Sequence, residues 1–370
     1  MAMITPRTNR FATLRPLAAS LAFGVVALAF GTFTLCLPAS AANAPKSAKA
    51  AMTRAAYIYD YMPAAHVDEL AQAGFNRLLV HWIADSLDSA GAASFKGMSD
   101  HAEARGIDIV PEWLLQQKTR LAPRPITRRY TWGHGVVEPT VACPLDSAYW
   151  RSALLDRAEE WLAADPRIRH LAVDLELLGA GRHHYDGGPC SCSACIAEYA
   201  HGRADIMARD PAQLTGLLPY EEARVAAILR GLLTEFAARH PGVELGVLDL
   251  DLASFVHRAL GRALARRSVA SMDYTESSYS TGAAALDSAR TRLDRLGLRA
   301  TPLVAGLWLK RWKPDQLEQA MRMVNAQGDG YFVFTTYSLW QSPARLTGPY
   351  TLQGAPGEYW RALREANTTP

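Results

Sequence analysis

The feature that constrains this chain most is an alternation. From residue 54 onward, short apolar runs take turns with amphipathic stretches. The apolar runs are 55–61, 76–82, 107–114, 170–177, 244–252, 268–275, 301–308 and 330–337. They are rich in Val, Ile, Leu and aromatic residues and read as continuous buried segments, as strands do when a parallel sheet is covered on both faces. Between them, 64–73, 94–105, 146–164, 220–239, 255–266, 282–296 and 314–327 carry apolar residues at helical spacing. Gly74, Gly106, Gly242 and Gly297 stand where such helices stop. Eight strands alternating with helices predict an α/β fold, the (β/α)8 TIM barrel. The competing arrangement is an open, doubly wound sheet. No G-x-G-x-x-G or G-K-[ST] follows a strand, so nothing points to a nucleotide. Two connections are too long for simple turns: 116–144 after strand 3 and 178–218 after strand 4. Both leave strand C-terminal ends, where barrels build their sites from loops. The second is rich in His, Gly and Cys and has room for a short helix of its own.

The N-terminus stands outside this pattern. Residues 1–41 hold Arg7, Arg10 and Arg15 but no Lys and no acid, then an apolar run over 21–37, then Ala39-Ser40-Ala41. A basic start, an apolar core and an A-x-A site predict a signal peptide over 1–41. The run is near spanning length, so an uncleaved anchor is the alternative. Cys36 follows Thr34-Leu35 rather than the small residue that precedes a lipidated cysteine, which argues against a lipoprotein. Residues 42–53 read as an Ala/Lys-rich linker, and 54–370 as a single barrel domain. The expected destination is export, to a periplasm or the medium. Loss of the three leader arginines takes the 39 basic residues to 36, level with 36 acidic ones. A neutral chain has no cationic excess for nucleic acid or an anionic membrane. No later run is long and apolar enough to span, so no stable membrane insertion is expected once the leader is gone. Hydrophobic residues at 49% exclude a disordered chain.

In a barrel, function belongs at the strand C-termini. Those ends read Asp60 and Tyr61; His81 and Trp82; Glu112 and Trp113; Asp174 and Glu176; Asp249 and Asp251; Asp273, Tyr274 and Glu276; Trp308 and Lys310; Thr335, Tyr337 and Trp340. Carboxylates interleaved with aromatics suit a carbohydrate substrate: rings stack on sugar C–H faces, and acids bind hydroxyls and move protons. The substrate-binding candidates are Asp60, Trp82, Glu112, Trp113, Tyr274, Trp308 and Trp340. The strongest acid signal is Val173-Asp174-Leu175-Glu176. Residues two apart on a strand share a face, so Asp174 and Glu176 are both expected to point into the mouth. Glycosidic cleavage needs a protonated acid beside an ionised one, and two like charges on one face drive such a split. Glu176 is the candidate general acid/base and Asp174 its neighbour; Glu276 and Asp273 are the candidates for a second catalytic carboxylate. The alternative is an acid pair neutralised by Arg or a structural metal.

Without Cys36, four cysteines remain: Cys143, Cys190, Cys192 and Cys195. The last three form C-x-C-x-x-C. Cysteines two apart in an extended stretch bridge poorly but chelate well, so four thiolates fit a structural zinc. Two disulfides are the alternative in an exported chain. Either would tie the loop before the third helix to the loop after strand 4. His183, His184 and Asp186 lie in the same loop.

This stretch resembles the family 42 β-galactosidases. In that family a cysteine ahead of the third barrel helix joins a C-x-C-x-x-C after strand 4 in a zinc site, and the general acid/base glutamate ends the same strand. Here Cys143-Pro144 leads into Tyr149-Trp150-Arg151, the strand ends Asp174-Leu175-Glu176, and Cys190 to Cys195 run on to Tyr199. The likeness covers about 60 residues, 143–199. It implies zinc on the four cysteines and Glu176 as general acid/base. The chain departs from that family at Leu175, where Asn is usual, and in having no carboxylate over 301–312, where the family places its nucleophile. A second likeness is to family 18 chitinases, which end strand 4 in D-x-E and strand 6 in M-x-Y; Met272-Asp273-Tyr274 matches the latter. It implies that Asp174 and Tyr274 support a substrate acetamido group. Arg169 and Ala172 stand where that family has further aspartates.

The leading expectation is an exported glycoside hydrolase acting on an oligo- or polysaccharide. A barrel that binds glycans without cleaving them is the alternative from another class, motivated by the missing seventh-strand acid. A metal-dependent hydrolase built on His81, His183, His184 and Asp60 has no H-x-H or H-E-x-x-H spacing behind it.

Overall fold

A computed structural model describes residues 52–82, 89–115, 126–132, 135–174, 178–179, 182–183, 188–248, 250, 254–266, 268–342 and 345–368. Residues 1–51, which include the expected signal peptide, lie outside the described residues, as do Glu176, Asp249, Asp251, His184 and Asp186 and the side chain of His183. Eight parallel strands close into a ring in chain order: β1 (Thr53–Tyr59), β2 (Arg77–His81), β3 (Asp108–Leu114), β4 (His170–Asp174), β5 (Glu244–Leu248), β6 (Ser271–Thr275), β7 (Leu303–Trp308) and β8 (Gly330–Phe334). The ring is closed by β1 pairing with β8, Thr53 opposite Gly330. All eight expected strands are present, and the open doubly wound sheet is ruled out. The chain is a (β/α)8 TIM barrel.

Helices cover the outside: α1 (His66–Gln72), α2 (Ser89–Ala104), α3 (147–164), α4 (Ser193–Ala200), α5 (Leu217–Arg239), α6 (Phe255–Leu264), α7 (Leu286–Arg295), α8 (Pro314–Gln327) and α9 (Pro356–Thr368). The middle of α3, Arg151–Asp156, is π-helical. α4 is the short helix expected in the long loop after β4. α9 was not among the expected helices. It starts on Pro356 and buries Tyr359, Ala362, Leu363 and Ala366 at helical spacing. Its Asn367 stitches the seam of the ring: the side-chain amide donates to Ala73 O (2.6 Å), the backbone carbonyl accepts from Arg54 (2.8 Å), and Tyr331 Oη donates to Oδ1. Among the described residues, no helix is long and apolar enough to cross a membrane.

Strand parity decides what faces the barrel interior. Arg77 on β2 reaches Tyr274 Oη on β6 at 3.0 Å, and these strands stand opposite each other in the ring, so the contact passes through the interior. Arg77 also pairs with Asp108 at 2.7 Å, and Asp108 with His170 at 2.8 Å. This polar floor fills the lower barrel. Gly246 on β5 makes room for it: a Cβ there would sit 2.5 Å from the Tyr274 ring. The opposite parity, Leu171 and Val173 on β4 for example, packs against the helices with no exposure.

Candidate functional site

Above the floor, the C-terminal ends of the strands form the mouth. Tyr57 on β1, His81 on β2, Glu112 on β3 and Asp174 on β4 share the inward parity. Glu112 is fully buried. Its Oε2 accepts from Tyr57 Oη at 3.1 Å and lies 2.5 Å from His81 Nδ1. A carboxylate only accepts, so His81 donates from Nδ1. Glu112 Oε1 has no hydrogen-bond partner among the described residues. The His81 ring stacks on Tyr57, centroids 5.7 Å apart and 27° from parallel, and meets Tyr59 edge-on. Burial pushes the Tyr57 phenol well above its ordinary range, and the negative charges of Glu112 and Asp174 push it further. Asp174, almost buried, therefore lies within electrostatic reach of the same phenol.

The rest of the mouth is aromatic. Tyr61 lies flat on Tyr59, 5.4 Å away and 4° from parallel, and is 56% exposed. Tyr337 meets both rings edge-on, and Tyr350 shares a 3.2 Å hydroxyl contact with Tyr59. On the other side, Tyr279 stacks against Phe334 at 5.3 Å and donates to Glu276 Oε1 at 2.8 Å. Gly306 on β7 permits this: a Cβ would come within 2.6 Å of the Tyr279 ring. Trp308, at the end of β7, packs against Tyr279 and Phe334 and donates from Nε1 to Pro349 O at 2.9 Å. Its ring carries two cations, Lys310 Nζ at 5.5 Å and the Arg311 guanidinium at 4.9 Å from the centroid.

The sequence-derived residues divide accordingly. Asp60, Glu112, Asp174, Glu276 and Trp308 fall at the mouth. Five others are built into the walls and floor. Trp82 packs edge-on against Trp161 (4.9 Å) and Phe95 under the helices. Trp113 is fully buried and donates to Ala153 O at 2.9 Å. Both have the outward parity, and neither offers a sugar a free face. Asp273 is also outward and wholly buried, its Oδ1 accepting from Leu250 N at 3.2 Å. Tyr274 belongs to the floor, bonded to Arg77, beneath any substrate in the mouth. Trp340 stacks flat on His66 at 4.1 Å, bonds Glu69 at 3.0 Å and touches Trp360, which places it between α1 and α9. Sequence reasoning passed over Tyr57, Tyr59, Tyr279, Phe334 and Tyr350. The first two sat inside an apolar run, where the period of two was the available signal.

The four cysteines come together. Cys143 follows the second strand of a hairpin in the loop after β3 (Arg129–Trp132 with Val136–Ala142); Cys190 and Cys192 precede α4, and Cys195 lies in its first turn. All four Sγ atoms lie within 4.8 Å of one another, and none is in a disulfide. A disulfide needs about 2.05 Å; Cys143 and Cys195 are 3.2 Å apart. Tetrahedral thiolates around zinc have metal–sulfur bonds of about 2.3 Å, which puts the sulfurs at separations of this order. The surroundings donate to sulfur: Thr131 N to Cys190 Sγ (3.4 Å) and Arg128 to Cys195 Sγ (3.3 Å). Bonds from Cys143 and the other thiols hold Cys192 far below the ordinary thiol range, while Cys143 and Cys195 are driven far above it. Such a cluster shares protons that a divalent cation would displace. The donor set fits a metal.

No family model matches the chain, and no curated protein matches it by sequence. Solved structures do share the fold. A variant of the GH5_18 protein of Streptomyces cattleya, in complex with Manb1-4GlcNAc, is 14% identical with a TM-score of 0.52, covering 86% of this chain and 82% of its own. The GH5_18 protein in complex with GlcNAc is 13% identical with a TM-score of 0.50, at 86% and 81%. A GH5-4 broad specificity endoglucanase from Clostridium longisporum is 10% identical with a TM-score of 0.49, at 83% and 86%. The likeness is one of barrel architecture to glycoside hydrolases.

Proposed function

We propose that the chain is an exported glycoside hydrolase acting on an oligo- or polysaccharide by carboxylate acid/base catalysis. The observation that carries the reading is the convergence of Asp174 with Glu112, His81 and Tyr57 at an aromatic mouth. Glu176, two residues beyond Asp174, is the general acid/base that protonates the departing glycosidic oxygen. Asp174 orients the reacting sugar or stabilises charge on it. Glu276, set at the mouth by Tyr279, is favoured over the walled-in Asp273 as the second carboxylate. Zinc on Cys143, Cys190, Cys192 and Cys195 is proposed as a structural ion; when bound, it pins the loop after β4 to the hairpin after β3. The resemblance to family 42 supports both the zinc and the role of Glu176.

The test is Glu176→Gln against a polysaccharide panel. Wild type should release reducing ends and the variant should not; equal rates would remove Glu176 from the mechanism. The second reading, a glycan-binding barrel without turnover, draws on the end of β7, where Trp308-Leu309-Lys310-Arg311 stands in place of an acid. Saturable binding with no released ends would favour it.

A further inference from the structure

The charge of the mouth is divided. The strands from β1 to β6 supply its acids: Asp60, Glu112, Asp174 and Glu276. The quarter built by β7 and β8 supplies none. Residues 301–314 contain no Asp or Glu, and neither do 330–357, but they carry Lys310, Arg311, Lys313 and Arg345. Two of these cations are placed at the mouth by Trp308, whose ring they cover and which itself packs on Tyr279, the residue holding Glu276. Neither Lys310 nor Arg311 has an ion-pair partner among the described residues. Several other exposed arginines are matched, as Arg105 is with Asp68 and Arg151 with Glu235.

Cations are poor neighbours for glycosidic cleavage of a neutral sugar. The transition state is oxocarbenium-like and gains positive charge, so two unneutralised cations beside it oppose the reaction. An anion on the sugar removes that conflict. It would also fix the sugar's direction, its charged group on the Lys310 side and its reacting carbon toward Asp174.

We propose that Trp308, Lys310 and Arg311 form a subsite for an acidic sugar, one bearing a carboxylate or a sulfate. The proposal rests on the hydrolase reading for the identity of the mouth, and it adds the substrate class. Lys supplies a compact ammonium and Arg a planar fork suited to two oxygens of one anion.

The test uses the mature chain and calorimetric titration with three probes of equal length: an oligogalacturonate, a sulfated heparin-derived oligosaccharide and a cello-oligosaccharide. At least one acidic probe should bind about tenfold or more tightly than the neutral one, the worth of one charge-assisted bond. That preference should shrink as salt rises. Lys310→Ala/Arg311→Ala should abolish it while leaving the melting temperature unchanged. The winning acidic probe identifies the anion. Equal binding of neutral and acidic probes, or a preference that survives the double variant, overturns the proposal. Glu176-dependent cleavage of neutral glycans alone overturns the subsite and leaves the hydrolase reading standing. Lys310-dependent binding of an acidic probe with no cleavage does the reverse.

Discussion

His81 Nδ1 and Glu112 Oε2 are 2.5 Å apart, and the carboxylate making this contact is wholly out of solvent. With its Nδ1 proton held by Glu112, the ring's orientation is set and Nε2 is the nitrogen left for other partners. Glu112 is thus expected to act on the mouth by positioning His81. Glu112→Gln should lower kcat more than it raises KM. Nitrogen NMR should show the Nδ1-protonated tautomer in wild type and a mixture in the variant. An unchanged tautomer in Glu112→Gln would count against this positioning role.

Tyr61, half-exposed on top of Tyr59, is a stacking platform that needs no rearrangement to meet a ring. Tyr61→Ala should weaken glycan binding about three- to tenfold, the range of one aromatic contact. Its melting temperature should hold, because the ring beneath it stays packed. A large loss of stability with unchanged affinity would contradict this.

Trp82 and Trp113 predict the opposite pattern. Both are enclosed between barrel and helices. Replacement by Ala should cost about 3–5 kcal/mol of stability, read by denaturant unfolding. In the fraction that folds, glycan affinity should match wild type.

The cysteine cluster should hold about one zinc per chain, measured by elemental analysis, and should resist thiol reagents until the metal is stripped. Cys195→Ser should lose the zinc and lower the melting temperature. Two disulfides and no metal in the intact-mass spectrum would overturn the assignment.

Asp165 sets an acid limit. Its carboxylate, buried beside α2, accepts from Arg167 Nε (2.8 Å) and from Ser99 Oγ (2.7 Å). The Arg167 bonds chiefly, with the Ser99 bond, hold it well below the usual carboxylate range. The folded state therefore favours the ionised form. That stability is fully present above the unfolded value, about pH 4, and is lost as pH falls toward the depressed folded one. Asp165→Asn should be less stable than wild type at pH 7, and the gap should narrow in thermal melts below about pH 4.

Much of the architecture was legible because burial on both faces leaves an unbroken apolar signature. All eight strands and the helices between β1 and β8 follow it. The helix α9 escaped because no further strand follows it to complete the alternation. The site was half legible. Strand ends were located, but adjacent residues such as His81 and Trp82 were read together, although parity sends one inward and the other into the wall. Counting by twos from Arg77, Leu79 and His81 would have separated them. Tyr279 and Tyr350 could not be found this way. They come from short turns after the strands, and only the closed ring brings them beside Phe334 and Tyr59.

The seam between β1 and β8 joins almost the first and last segments of the barrel domain, with Asn367 fastening it. Seven strands can assemble while the chain is still emerging, but they leave two edges with unpaired backbone groups. The ring therefore closes only once β8 has been delivered, and Asn367 fastens it when α9 follows. Until then the nascent sheet is open to pairing with its neighbours. For this chain, the helix α9 marks the end of a vulnerable interval as well as adding a layer of packing.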